Sequence, residues 1–212
     1  MAITGLVLFG FVVGHLLGNL GVFLGQESFN AYAHFLKSTG AILWPTRIVL
    51  LISVIVHIIV AFQLRAINQE ARPQGYKIKA TVQANVASLY MFELGMILLV
   101  FIIVHLLHFT LGYLKPEYYH LVDSAGRHDA YSMLVYSFTH PQYALGYVIA
   151  MIALGFHLSH GLSSFIQTLG IFHVRRTPSI RSAGKIFGFL VAAGYSAIPL
   201  AVLSGLLKLS AS

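Results

Sequence analysis

Residues 142–169, Q-Y-A-L-G-Y-V-I-A-M-I-A-L-G-F-H-L-S-H-G-L-S-S-F-I-Q-T-L, contain no Asp, Glu, Lys or Arg. At 1.5 Å per residue, roughly 20 helical residues cross a bilayer core of about 30 Å, so this run is long enough to span one. Lipid offers the backbone no hydrogen-bond partner, and the run lacks the period-two alternation of a barrel strand, so a helix is expected. Yet it keeps two histidines, His157 and His160. An imidazole in hydrocarbon needs a hydrogen-bond partner or a metal to offset its lost hydration.

The rest of the chain has the same character. Of its 212 residues 58% are hydrophobic and only 9% charged, with a mean hydropathy of +0.81. Apolar runs at 2–25, 44–66, 87–113, 142–169 and 186–208 are each long enough to span. The expected fold class is all-α, an integral membrane bundle of five transmembrane helices forming one domain over residues 1–212. Pro199 falls inside the last run and is expected to kink it. The first run suits a retained helix better than a cleaved signal peptide. The absence of cysteine excludes disulfides, covalent C-x-x-C-H haem attachment and cysteine-ligated iron–sulfur clusters within this chain.

Charge gives an orientation. Of the 13 basic residues, Arg65, Arg72, Lys77, Lys79, Arg175, Arg176, Arg181 and Lys185 follow the second and fourth runs. The other side carries Lys37, Arg47, Lys115, Arg127 and Lys208 with the acids Glu27, Glu117, Asp123 and Asp129. The positive-inside rule then predicts a cytoplasmic N-terminus, an outside C-terminus and a multi-pass protein of the cytoplasmic membrane. A net charge of +7 without a basic, aromatic-studded globular surface does not read as nucleic-acid binding. Basic loops flanking helices read as topology signals, and they also suit anionic lipid or an acidic partner.

Topology assigns each histidine a depth. His15 lies about 14 residues, roughly 20 Å, from the cytoplasmic end of the first run, and His105 lies at a similar depth in the third. His57 and His157 lie about as far from the outer ends of the oppositely directed second and fourth runs. Two pairs result, His15 with His105 in the outer half and His57 with His157 in the inner half. Each pair draws on two helices, as a six-coordinate haem needs for its two axial imidazoles. His15, His57, His105 and His157 are therefore the expected iron ligands of two haems. Gly18, Ala61, Ala153 and Gly161, about one turn from these histidines, are candidates for giving a porphyrin room, although small residues also serve helix packing. His108 and His160 sit nearly a turn closer to water. They are candidates for hydrogen-bonding a haem edge or propionate, with interfacial packing as the alternative.

The runs T-G-L-V-L-F-G-F-V-V-G-H-L-L-G-N, S-F-N-A-Y-A-H-F-L, F-I-I-V-H-L-L-H-F-T and F-H-L-S-H-G-L-S-S-F-I-Q-T-L-G-I resemble the five-helix, two-haem cytochrome b subunit of succinate:quinone oxidoreductases, of the b558 type. The resemblance covers nearly the whole chain and is most specific in the fourth run. It implies two haem b groups, with the distal one held by His15 and His105 and the proximal one by His57 and His157. It also implies a succinate dehydrogenase complex in which this chain is the membrane anchor and electron carrier. A flavoprotein subunit, an iron–sulfur subunit and a membrane quinone, menaquinone in the two-haem members, complete that complex. The chain's lack of a nucleotide-binding glycine loop fits this division of labour. Loops 67–86 and 170–185 are then the expected docking surface, or simply topology determinants.

Some residues depart from the family pattern or stay open. Certain fumarate-reducing relatives carry a proton-conducting glutamate two residues before the fourth-run ligand, and here that residue is Gly155. Glu93 is the sole carboxylate within the expected spans; it reads as a proton relay or quinone contact, or, preferably, as an interfacial carboxylate bonded to a neighbouring helix. Glu27, Asn30, Tyr32 and His34, just after the first run, are candidates for a quinone site, with an amphipathic interfacial turn as the alternative. Alternative functions are the fumarate reductase cytochrome b subunit, another di-haem anchor such as that of a hydrogenase or formate dehydrogenase, and a histidine-lined metal or proton transporter. The transporter would call for broken helices and midplane acids, which the first four runs lack.

Overall fold

The computed structural model describes residues 1–71, 86–170 and 177–209, and these are helical nearly throughout. Helix α1 (Ala2–Leu20) is extended by a 3-10 turn, Gly21–Leu24, and followed by α2 (Gln26–Ser38) and α3 (Gly40–Glu70). A short α4 (Val86–Leu89) precedes α5 (Met91–His105), which a π-turn continues over Leu106–Thr110. Then come α6 (Pro116–Tyr119), α7 (Ala130–Phe138), α8 (Pro141–Thr168) and α9 (Thr177–Leu203). Among the described residues no strand forms, and an isolated bridge joins Val122 to His128. Five segments, α1 with its 3-10 turn, α3, α5 with its π-turn, α8 and α9, are long and apolar enough to cross a membrane. Exposed Ile48, Leu51, Ile55, Ile59 and Phe62 line the outside of α3, as on a surface meant for lipid. Five helices of this length and composition are what a multi-pass membrane protein requires.

Several boundaries differ from the sequence expectation. The third span begins at Met91 rather than 87, because Tyr90 leaves the helical conformation and separates α4 from α5. It stops short of 113 at Gly112, whose φ of 71° no continuing helix adopts. The fifth span begins at Thr177 rather than 186, since the helix runs through polar turns bearing Arg181 and Lys185 that hydropathy alone does not count. It passes through Pro199 to Leu203 and ends before Gly205, at φ 75°. Helix α3 likewise outruns 44–66 at both ends. Of the expected docking loops, Arg72, Lys77, Lys79, Arg175 and Arg176 lie outside the described residues.

Helix α8 is the spine of the bundle, packed along α9 and against α5, while α1 packs on α3, α8 and α9. The α8–α9 contact is a backbone approach. A Cβ at Gly184 would fall 2.6 Å from the Ser159 carbonyl oxygen, and one at Gly188 would overlap that of Gly155. Gly184 and Gly188 are thus the small-xxx-small stripe by which membrane helices pack without a hydrophobic driving force. The same contact explains Gly155. A Cβ there would lie 2.8 Å from the Gly188 oxygen and 2.9 Å from Ala192 Cβ, so any side chain, a glutamate included, needs α9 displaced.

The two ends of the bundle differ. At the end where α1 starts, Arg65 of α3 reaches Glu93 of α5 at 3.2 Å and stacks on Phe92. Glu93 is therefore bonded to a neighbouring helix. The opposite end is closed by a cap of α2, α6 and α7, with Val22, Phe29, Leu134, Val135 and Phe138 buried beneath it.

Candidate functional site

The four midspan histidines meet as two pairs. The rings of His15 (α1) and His105 (α5) have centres 5.9 Å apart, inclined at 83°. Those of His57 (α3) and His157 (α8) are 6.4 Å apart, inclined at 57°. Neither α1 with α5 nor α3 with α8 belongs to the closely packed helix pairs, so each couple of rings reaches across a gap between backbones. With metal–nitrogen bonds of about 2 Å and roughly 1 Å from nitrogen to ring centre, two imidazoles on opposite faces of one metal sit roughly 6 Å apart. Both pairs meet that spacing. Among the described residues no group of three or more His, Asp or Glu gathers as a metal cage. A metal held here would need its remaining donors from another source, which a porphyrin's four nitrogens provide.

The surroundings also fit an inserted group. Among the described residues, Nδ1 of His157 and Nε2 of His108 are buried without a hydrogen-bond partner, a costly condition for an imidazole nitrogen. Gly10 and Gly14 on α1 and Gly146 on α8 are exposed, and added Cβ atoms there would meet nothing within 4 Å. Gly5 and Gly95 face the other pair, where a Cβ would lie 3.7 Å from Cε1 of His57 and of His157 respectively. The small residues against these rings thus lie on neighbouring helices, which spacing along one helix does not reveal. Gly18, expected to give a porphyrin room, instead admits the Tyr32 ring, whose Oη would sit 2.6 Å from a Cβ there. Gly161 lies near Met91, and Ala153 is buried.

Both pairs have hydroxyl neighbours that the sequence did not single out. Thr4 Oγ1 is 3.1 Å from Nδ1 of His57. Tyr147 Oη stands between two histidines, 3.2 Å from Nδ1 of His108 and 3.5 Å from Nδ1 of His105. His108 is buried within the protein. It is 1% exposed and stacks on Phe109 at 4.2 Å, turned inward by the π-turn, in which the Leu111 N–H donates to the Leu106 carbonyl. His160 is half-buried, and its carbonyl accepts from Ser163 Oγ.

The four residues considered for a quinone separate. Tyr32 lines a cavity of about 160 Å³ beside His15, together with Gly18, Asn19, Phe29, Ala33 and Leu36. Asn30 is fully buried elsewhere: its amide donates to Asp129 at 2.8 Å and its Oδ1 accepts from the Tyr131 N–H at 2.9 Å. Glu27 is exposed and paired with Arg127 at 2.7 Å, and His34 is exposed. Asn30 and Glu27 therefore fasten α2 to the cap. Asp129 caps α7 by accepting from the Ser132 N–H and also accepts from Gln26 at 2.8 Å. Burial pushes the Asp129 carboxyl up, but hydrogen bonds from Ser132, Asn30 and Gln26 outweigh it and hold the group below the ordinary carboxylate range.

Comparison with family models, with curated proteins and with solved structures gave no match to this chain.

Proposed function

We propose that this chain is the two-haem cytochrome b anchor of a succinate:quinone oxidoreductase, carrying electrons between an iron–sulfur subunit and a membrane quinone. The observation that carries the reading is the pairing itself: two couples of imidazoles, each spanning a gap between helices at the spacing of paired axial ligands. His57 and His157 would hold one haem b, and His15 and His105 the other. When bound, the haems supply one-electron carriers within the hydrocarbon region.

The chain's own groups do the rest. Arg65, Arg181 and Lys185 share the bundle end to which the positive-inside rule assigns the cytoplasm, so a haem held by His57 and His157 would be the inner one. That end would receive the iron–sulfur and flavoprotein subunits of a succinate dehydrogenase. The cap of α2 and α7 shields the outer pair from water, and Tyr32 lies where a quinone headgroup could approach His15 through the adjoining cavity. Menaquinone is the quinone that the family resemblance favours.

A reduced-minus-oxidised spectrum with pyridine haemochrome quantification tests the reading on the purified assembly. Two haem b per chain are expected. A chain without b-type absorbance, or with a single haem in the intact wild type, overturns it.

A further inference from the structure

Thr4 sits in the first turn of α1, and its hydroxyl has two neighbours. Oγ1 is 2.9 Å from the Met1 carbonyl oxygen and 3.1 Å from Nδ1 of His57. A carbonyl only accepts, so the hydroxyl proton goes to Met1. Toward His57 the oxygen must then accept, which puts the imidazole proton on Nδ1. A neutral imidazole carries one N–H, so Nε2 of His57 keeps its lone pair. That is the form in which a histidine binds a metal through Nε2 while its other nitrogen donates outward.

From this geometry we infer that Thr4 is a positioning residue: it fixes His57 in the ligating tautomer and, by accepting its N–H, lowers the reduction potential of the haem held there. The inference rests on the two-haem reading and goes beyond it by assigning control of one potential to one hydroxyl. An acceptor at Nδ1 makes the imidazole a stronger electron donor, which stabilises the oxidised metal. The opposite ligand offers no such control, since among the described residues Nδ1 of His157 has no hydrogen-bond partner. Within this pair the hydrogen bond acts from one side, on the helix whose ring faces Gly5.

The test uses the assembled membrane complex and three forms of it: wild type, Thr4→Val, which keeps the shape and loses the hydroxyl, and Thr4→Ser, which keeps the hydroxyl. Redox titration followed optically, with low-temperature EPR of the oxidised haems, resolves the two components. In Thr4→Val the inner haem is expected to be more reduced at a fixed ambient potential by roughly three- to tenfold, about 30–60 mV at 59 mV per decade. Its EPR signal should shift, the outer haem should stay unchanged, and Thr4→Ser should match wild type. Loss of the inner haem from Thr4→Val with retention in Thr4→Ser supports the same role. Two full haems with an unshifted inner potential in Thr4→Val overturn the inference, as does an equal change in Val and Ser, which would mean packing alone. A wild type without haem instead defeats the two-haem reading, and the two failures are distinguished by the spectrum.

Discussion

The two histidine pairs have the same spacing but differently built surroundings. His15 and His105 lie toward the cap, His15 beside the cavity lined by Tyr32 and His105 beside the aromatic cluster of Phe101, Phe109 and Tyr147 and the buried His108. His57 and His157 lie among bare backbone, with Gly5 and Gly95 against the rings and Thr4 as the polar neighbour. One pair is held mainly by aromatic packing with a long 3.5 Å hydroxyl contact, and the other by a shorter 3.1 Å hydrogen bond and close helix approach. The difference teaches that equal ligand geometry does not imply equal control. The aromatic setting limits how far the outer rings can turn, whereas the inner setting leaves orientation to a hydroxyl.

On the proposed two-haem reading, the largest effect should come from removing a ligand. His57→Ala or His157→Ala should abolish the inner haem and spare most of the outer, while His15→Ala or His105→Ala should do the reverse. Haem quantification together with redox titration checks this, one of two components disappearing each time. Two complete components after any of the four changes would break the assignment of the pairs. Loss of both haems after every change would mean that the pairs are not independent.

How much of this was legible in the sequence depends on which dimension is asked about. Depth follows from position along a run, because a helix rises uniformly, so the levels of His15, His57, His105 and His157 can be counted. Lateral neighbours do not follow. Thr4 is 53 positions from His57, and nothing in the run around either residue announces the other. The cap was missed for the same reason. Helix α2 reads as an interfacial turn until Asn30 is seen to bond Asp129, 99 positions away. Gly155 was legible as a missing carboxylate, but the reason, the Gly188 carbonyl against it, belongs to another helix. The stripe of Gly184 and Gly188 was not singled out, because its partner backbone at Gly155 and Ser159 lies on another helix.

A smaller effect, confined to the outer side, should follow from opening the cap. Asp129→Ala removes the acceptor shared by Ser132, Gln26 and Asn30 and leaves the buried Asn30 amide only its longer 3.3 Å bond to Asp123. Hydrogen bonds to a charged group are worth about 1.5–3 kcal/mol, and the cap should weaken by that order. Hydrogen exchange should rise in α2 and α7, and the outer haem should react faster with dithionite while the inner haem is unaffected. The pH dependence has a definite sign. The Asp129 carboxyl is held below its unfolded value of about 3.9, so its contribution is present above that pH and is lost as pH falls through the folded value. A cap that is equally protected at pH 7 and in strong acid, in wild type, would remove Asp129 from this role.

The smallest effect should come from Tyr147, and it sharpens the contrast between the pairs most directly. Its hydroxyl is 3.5 Å from Nδ1 of the outer ligand His105, longer than the 3.1 Å from Thr4 to His57, and it is shared with His108 at 3.2 Å. If His105 binds metal through Nε2, its Nδ1–H points at the phenol oxygen, and the phenol proton then goes to His108. A long and divided contact polarises the ligand less than a short one from an acceptor whose own proton is already committed. Tyr147→Phe should therefore raise the outer haem potential by less than Thr4→Val raises the inner, about a twofold change in the reduced-to-oxidised ratio, or roughly 18 mV. It should also cost stability, about 1–3 kcal/mol, because Nδ1 of buried His108 loses its partner. Redox titration and thermal denaturation separate the two consequences. An outer shift larger than the inner shift of Thr4→Val would reverse the comparison, making the aromatic cluster the stronger control and the packed pair the tunable one.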